Sequence, residues 1–411
     1  MRRLLSHRDG RLYLAGQSLS LVGDNALWLA MGIWVKLLTG SSSAAGLTFF
    51  ALVCGTLLAP ATGLLADRVR RRPLLVASNL GAAGLVCLLL AVGGRGQVWL
   101  IYLVMFGYGA VNGLIMSAQT AFLAVLLPDD LLGEANSVLQ LASQGLRIVS
   151  PLLGAGLLAV AGARPVILLD AATFVLAAAA VAALRLREPP PEPATSHWRA
   201  EVTAGISHIA RTAILRRLMV SGVIALLVFG FFETVPFAVV GQGLHRHPTF
   251  LGVLESVMGV GAVAGAVVAA RVMRRTGERT LVFLALLAAA ASCVLLIPAW
   301  LPAVLAAMAL LGFGIVWVNV GWITLVQRRT PAALLGRVDA ALTVAITVPQ
   351  VVSIAVGAAL IAVVDYRVLL AVMAVVVAGS AAWLVTGREP TGDEPALAGT
   401  AAAAAAEGAA S

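Results

Sequence analysis

The 411-residue chain is 61% apolar and only 11% charged, with a mean hydropathy of +0.99. Soluble globular proteins carry about 25% charged residues, so there is too little charge here to clothe a water-facing surface, and a large soluble domain is excluded. The net charge of +9 would suit a nucleic-acid partner, but its placement along the chain argues against one.

A bilayer-crossing helix needs about 20 mostly apolar residues. Runs of that length fall at 12–38, 44–66, 73–93, 97–121, 134–160 and 165–185, and again at 217–240, 249–270, 280–298, 302–326, 337–361 and 366–386. The pattern predicts an all-α integral membrane protein of twelve spans. Its expected units are an N-terminal six-helix bundle over 1–185, a linker over 186–216, a C-terminal six-helix bundle over 217–386 and a disordered tail over 387–411. The linker is proline- and charge-dense, and the alanine-rich tail is of low complexity. No small-residue cleavage site follows the first apolar run, so that run reads as a retained span.

Arginine placement predicts orientation. With the N-terminus inside, the inner segments hold 22 arginines, and the outer connections hold Arg95, Arg164, Arg246 and Arg367. Both termini are therefore expected in the cytoplasm of a bacterial cell, with the chain multi-pass in its membrane. Trp99 and Trp300 read as interfacial anchors at outer span ends.

The two halves repeat. A shift of 203 residues lays ADRVRRR (66–72) on AARVMRR (269–275) and PDDLLGEANS (128–137) on PAALLGRVDA (331–340). The same shift lays Gly154 on Gly357 and Arg164 on Arg367. Parallel six-helix repeats are one transporter architecture, with substrate bound near the midplane between them.

Ionisable residues in a span are costly and mark function by default. The first span carries Gln17, Ser20, Asp24 and Trp28 on one stripe; the fifth carries Asn136, Gln140, Gln144, Arg147 and Ser150. Asp24 and Arg147 lie at similar depth. Either Asp24 binds a proton or cationic substrate under the influence of Arg147, or the two form a structural pair. Glu233, after Phe231 and Phe232 in the seventh span, has no cation at its level in sequence and is the preferred proton or cation site. Glu255 and Asp170 lie near outer span ends, where wet surroundings or pairing with Arg246 or Arg164 would satisfy them. Cavity candidates are Gln17, Trp28, Tyr102, Asn112, Met116, Gln119, Phe232, Trp317, Asn319 and Trp322; each aromatic could equally be a packing residue.

Nothing points to an enzyme. The sole lysine, Lys36, follows Val35, so no phosphate-cradling G-x-x-x-x-G-K-[ST] loop exists. The five histidines lie in tails, loops or the linker, and the three cysteines sit in apolar runs, so neither a metal site nor a cofactor is expected.

The stretch GLLADRVRRRPLL resembles the loop 2–3 motif of the major facilitator superfamily, G-x-L-A-D-R-x-G-R-K/R. Gly63, Leu65, Ala66, Asp67, Arg68, Arg71 and Arg72 match it, with Arg70 at the second glycine. GQSLSLVGDNALWLA and LLDAATFVLAA look like bacterial efflux members related to siderophore and macrolide exporters. SPLLGA partly matches the GPxxGG element of drug antiporters. The resemblance implies a monomeric secondary transporter exporting small amphiphilic molecules by alternating access with proton antiport. Uptake, flipping of a lipid-like substrate and a non-transporting receptor are the alternatives. It also implies a cytoplasmic latch: Asp67 with Arg337 across the halves, and Arg271 or Arg274 with Glu134.

Overall fold

The computed structural model describes residues 8–58, 62, 69–184, 198–330 and 334–386. The expected tail, most of the linker's first half, and Gly63, Asp67 and Arg68 of the motif lie outside the described residues, as does the side chain of Arg337.

Every described element is helical. In chain order they are α1 (Arg8–Thr39), α2 (Ser42–Thr56), α3 (Arg71–Cys87), α4 (Val98–Leu126), α5 (Asp129–Ala161) and α6 (Ala163–Ala182). Then come α7 (Trp198–Arg211), α8 (Ala213–Phe229), α9 (Leu251–Thr276), α10 (Glu278–Leu296), α11 (Leu301–Arg329), α12 (Leu335–Leu360) and α13 (Tyr366–Thr386). Among the described residues ten helical segments are long and apolar enough to cross a membrane, and two shorter apolar helices, Ser42–Thr56 and Ala345–Leu360, stand at the remaining expected spans. α7 is an additional helix, lying in the expected linker and packed against α12.

The internal repeat is visible in packing. Gly154 of α5 meets the backbone of α1 at Ala26, and its repeat mate Gly357 of α12 meets Phe231, just beyond α8. A side chain at either position would collide with the neighbour, so each glycine allows a close crossing at equivalent places. Helix ends are also joined alike in each half, by arginines outside the 203-residue register. Arg72 donates to the carbonyls of Val181 and Ala182, and Arg279 donates to those of Leu384 and Val385. Each guanidinium thus satisfies the orphan carbonyls at a helix C-terminus, where a cation is favoured.

Helices α1–α6 meet α8–α13 chiefly through α5 against α9 and α2 against α12. These contacts lie toward the arginine-poor ends. Gly46 of α2 faces the Thr234 side chain and Ala358; Gly252 of α9 faces Ala155 and Pro151. Ser256 donates to the Ile148 carbonyl at 2.7 Å. Continued toward the arginine-rich end, the same stripes are uncovered: Leu141 is 70% exposed, Val263 47% and Val267 77%. The two sets therefore touch at one end and part at the other.

α8 ends in an irregular stretch. A 3-10 turn (Gly230–Glu233), one α-turn (Val235–Ala238) and a π turn (Val239–Gly243) follow one another. Pro236 lacks an amide hydrogen, and a regular ladder does not resume before Gly243.

Candidate functional site

A cavity of about 430 Å³ lies between the two helix sets. From α1 it receives Gln17, Asp24 and Trp28; from α4, Asn112, Met116 and Gln119; from α5, Arg147. Glu233 enters it from the 3-10 turn after α8. Eight of the thirteen coupling and cavity candidates thus share one chamber. The other five lie elsewhere. Tyr102 donates to the Ala44 carbonyl at 3.0 Å, joining α4 to α2. Phe232 packs on Phe229 with ring centroids 5.0 Å apart. Trp317 is buried against Phe313 and donates to the Gly265 carbonyl. Asn319 and Trp322 line a separate, mainly apolar cavity of about 240 Å³ among α8, α10 and α11.

The wall of the main cavity is polar on the α1–α4 side. Tyr108 donates its hydroxyl to Asp24 at 2.5 Å, and Gln119 donates to Gln17 at 2.5 Å. No direct ion pair joins Asp24 to Arg147. Arg147 instead lies within Coulombic range of Glu233 and Glu255, both contributed by the opposite helix set. Of the two readings of Asp24, a direct ion pair with Arg147 is not formed, and Glu255 lines the cavity rather than an outer span end. Similar position along a span did not decide the partner: the acids within range of the arginine stand in the 3-10 turn after α8 and on α9.

At the arginine-poor end, rings close the chamber. Trp28 packs on Phe49 at 5.0 Å, and Phe49 on Phe237 at 6.1 Å, an aromatic chain running from one helix set to the other. Among the described residues, the chamber then contains three carboxyls, Asp24, Glu233 and Glu255, against one guanidinium. Such a site can bind protons or a cationic group, and its aromatic and methionine surface suits an apolar body.

Tyr108 was not weighed from sequence and Glu255 was read as a wet or paired span end, yet both line the cavity, as does Gln350. The 203-residue repeat was the available signal. Glu255 is the mate of Leu52 and Gln350 is the mate of Arg147, and both members of each pair face the chamber. Tyr108 stands one helical turn before Asn112 on the same face of α4.

Arg71, Arg72, Glu134, Arg271 and Arg274 cluster toward the arginine-rich ends of their helices, and Glu134, Arg271 and Arg274 are exposed. The uncovered stripes of α5 and α9 run toward this end.

Comparison with known proteins agrees with this architecture. The model of a family described as Major Facilitator Superfamily matches residues 13–353 and 235–408. The chain is 25% identical over 366 residues to the Enterobactin exporter EntS of Escherichia coli O1:K1 / APEC, covering 87% of this chain and 85% of that protein. The corresponding protein of Citrobacter koseri is similar to the same extent. Among solved structures, a bacterial homologue of the iron transporter ferroportin in its inward-facing state superposes with a TM-score of 0.72 at 17% identity, covering 92% of this chain and 98% of that one. In its outward-facing state the TM-score is 0.61, at 18% identity and the same coverage.

Proposed function

Because the chain belongs to the major facilitator superfamily, a family of transporters, we propose that it exports small amphiphilic molecules from the cytoplasm in exchange for protons. The observation carrying this reading is the chamber of three acids and one arginine between two helix sets, closed at one end and parted at the other. The positive-inside rule makes the arginine-rich, open end cytoplasmic, with both termini inside and the chain acting as a monomer. A drug, antibiotic or siderophore-like product would enter from that side. The similarity to enterobactin exporters supports export and a molecule of this kind.

In the exchange, Glu233 is the proton-coupling acid, with Asp24 as a second. Arg147, on one set, faces Glu233 and Glu255 on the other, so the arginine's balance of partners changes whenever the sets rock apart at that end. Six-helix units over 1–185 and 217–386 are the rocking bodies, joined by the 186–216 linker.

The direct test is flux. Purified protein in proteoliposomes with an imposed pH gradient should drive a fluorescent amphiphilic cation or a catecholate siderophore against its own gradient. Transport of both classes that ignores the pH gradient would remove the antiport reading. Movement only down the proton gradient, in the same direction as protons, would replace export by uptake.

The latch is part of the same proposal. When the arginine-rich ends close, Asp67 pairs with Arg337, and Glu134 with Arg271 or Arg274. Exposed pairs contribute only ~0–1 kcal/mol each, enough to bias the equilibrium between open states. Asp67→Arg and Arg337→Asp should each slow efflux, and the double variant should recover it. A double variant no faster than either single one would dismiss the pairing.

A further inference from the structure

A second carboxyl stands behind Asp24. Asp170 of α6 is wholly buried, and neither of its carboxyl oxygens has a hydrogen-bond partner. It does not line the main cavity. Its Oδ1 lies 2.5 Å from where a Cβ on Gly23 would stand. The missing side chain at Gly23 is therefore what lets the carboxyl reach the α1 backbone, one residue from Asp24. Asp24 and Tyr108 both lie within Coulombic range of it.

Among the described residues no cation answers this group. α1 presents Asp24 to it, and the other charged residues of that helix, Arg8, Asp9, Arg11 and Lys36, stand near its ends. α4 presents Tyr108, whose ring meets Phe174 of α6 at 5.8 Å. α3 has Arg71 and Arg72 in its first turn, with Arg72 bonded at the opposite end of α6; its Cys87 is exposed. α5 has Arg147 in the main cavity and Glu134 near its arginine-rich end. On α6 itself, exposed Arg164 lies six residues away, about 9 Å along the axis and on another face.

A carboxylate removed from water with no donor and no counter-ion is strongly disfavoured, and a like charge beside it adds to the cost. Asp24 has the same carboxyl neighbour but different surroundings: it faces the chamber and accepts a hydrogen bond from Tyr108. We propose that Asp170 is a proton-binding site, forming with Asp24 a two-carboxyl unit that keeps one proton at neutral pH. Asp170 holds that proton in the dry position. Asp24, stabilised as the anion by Tyr108, takes up and releases a second one through the chamber, and the pair titrates as a unit. The role of the second proton in transport rests on the proton-exchange reading; the retained proton does not.

Infrared spectroscopy of the purified full-length protein in lipid nanodiscs tests this without transport. Wild-type protein at neutral pH should show a protonated-carboxyl C=O band that shifts in heavy water. Asp170→Asn should lose that band, whereas Asp24→Asn should keep it. Loss of a carboxylate band instead, with the protonated band intact, would overturn the proposal. If Asp170→Asn does not fold, aspartate labelled with carbon-13 in the Asp24→Asn background serves. An isotope-shifted protonated band supports the site, and its absence refutes it. A missing band would leave antiport through Glu233 standing, and failed antiport would leave the band unaffected.

Discussion

Glu233→Gln should sharply reduce pH-gradient-driven accumulation while sparing substrate exchange down a concentration gradient. The variant keeps the size of the side chain and its place in the 3-10 turn after α8, but an amide cannot bind and release a proton. Typical coupling free energies of 1–3 kcal/mol correspond to about 5–150-fold, and the driven component should fall within that range. Glu255→Gln provides the internal control, because Arg147 lies within reach of both acids. If only Glu255→Gln uncouples transport, the coupling acid is Glu255. If Glu233→Gln leaves driven accumulation unchanged, Glu233 has no part in coupling.

The second large effect is conformational. Gly46→Leu should close off the state described here and shift the protein toward opening at the arginine-poor end. A side chain at Gly46 collides with Thr234 and approaches Ala358 across the boundary between helix sets. Overpacking typically costs about 1–3 kcal/mol, again about 5–150-fold in population. Spin-label distances across the arginine-poor ends of α2 and α12 should lengthen, and those across the arginine-rich ends should shorten. Gly81→Leu is the matched control, since nothing lies within 4 Å of a Cβ there and the helix-propensity gain of replacing glycine is the same. Unchanged distances in Gly46→Leu would mean that this contact does not hold the end shut.

Much of this was legible in the chain because a membrane simplifies the rules. Apolar length marked the spans, and arginine bias separated two ends. The 203-residue register was realised in the crossings of Gly154 and Gly357. The face of α1 bearing Gln17, Asp24 and Trp28 does line the chamber. Depth and face do not determine which neighbour a side chain meets, however. Arg147 and Asp24 stand at similar places along their spans, but the arginine lies within Coulombic range of acids across the boundary. Trp317 and Trp322 share a helix with Asn319, yet packing sent one into a buried cluster and the other to a separate cavity. Glu255 looked like a wet helix end because distance from a span terminus ignores the bulk of neighbouring helices. The irregular end of α8 was also hidden: VPFAVVGQG is apolar enough to read as ordinary helix.

That irregular end has a mechanical consequence. A 3-10 helix winds 120° per residue and an α-helix 100°, so the four residues Gly230–Glu233 overwind α8 by about 80° relative to regular helix. The π turn over Val239–Gly243, with its wider loop of bonds, unwinds in the opposite sense. The two phase errors oppose one another, so the ends of the segment can stay in register with the bundle while the middle is turned about the helix axis. Exchanging one bonding pattern for another would then swing Glu233 around that axis with little displacement of either end. The succession of tighter and looser turns thus places Glu233 between two opposite phase shifts of one helix.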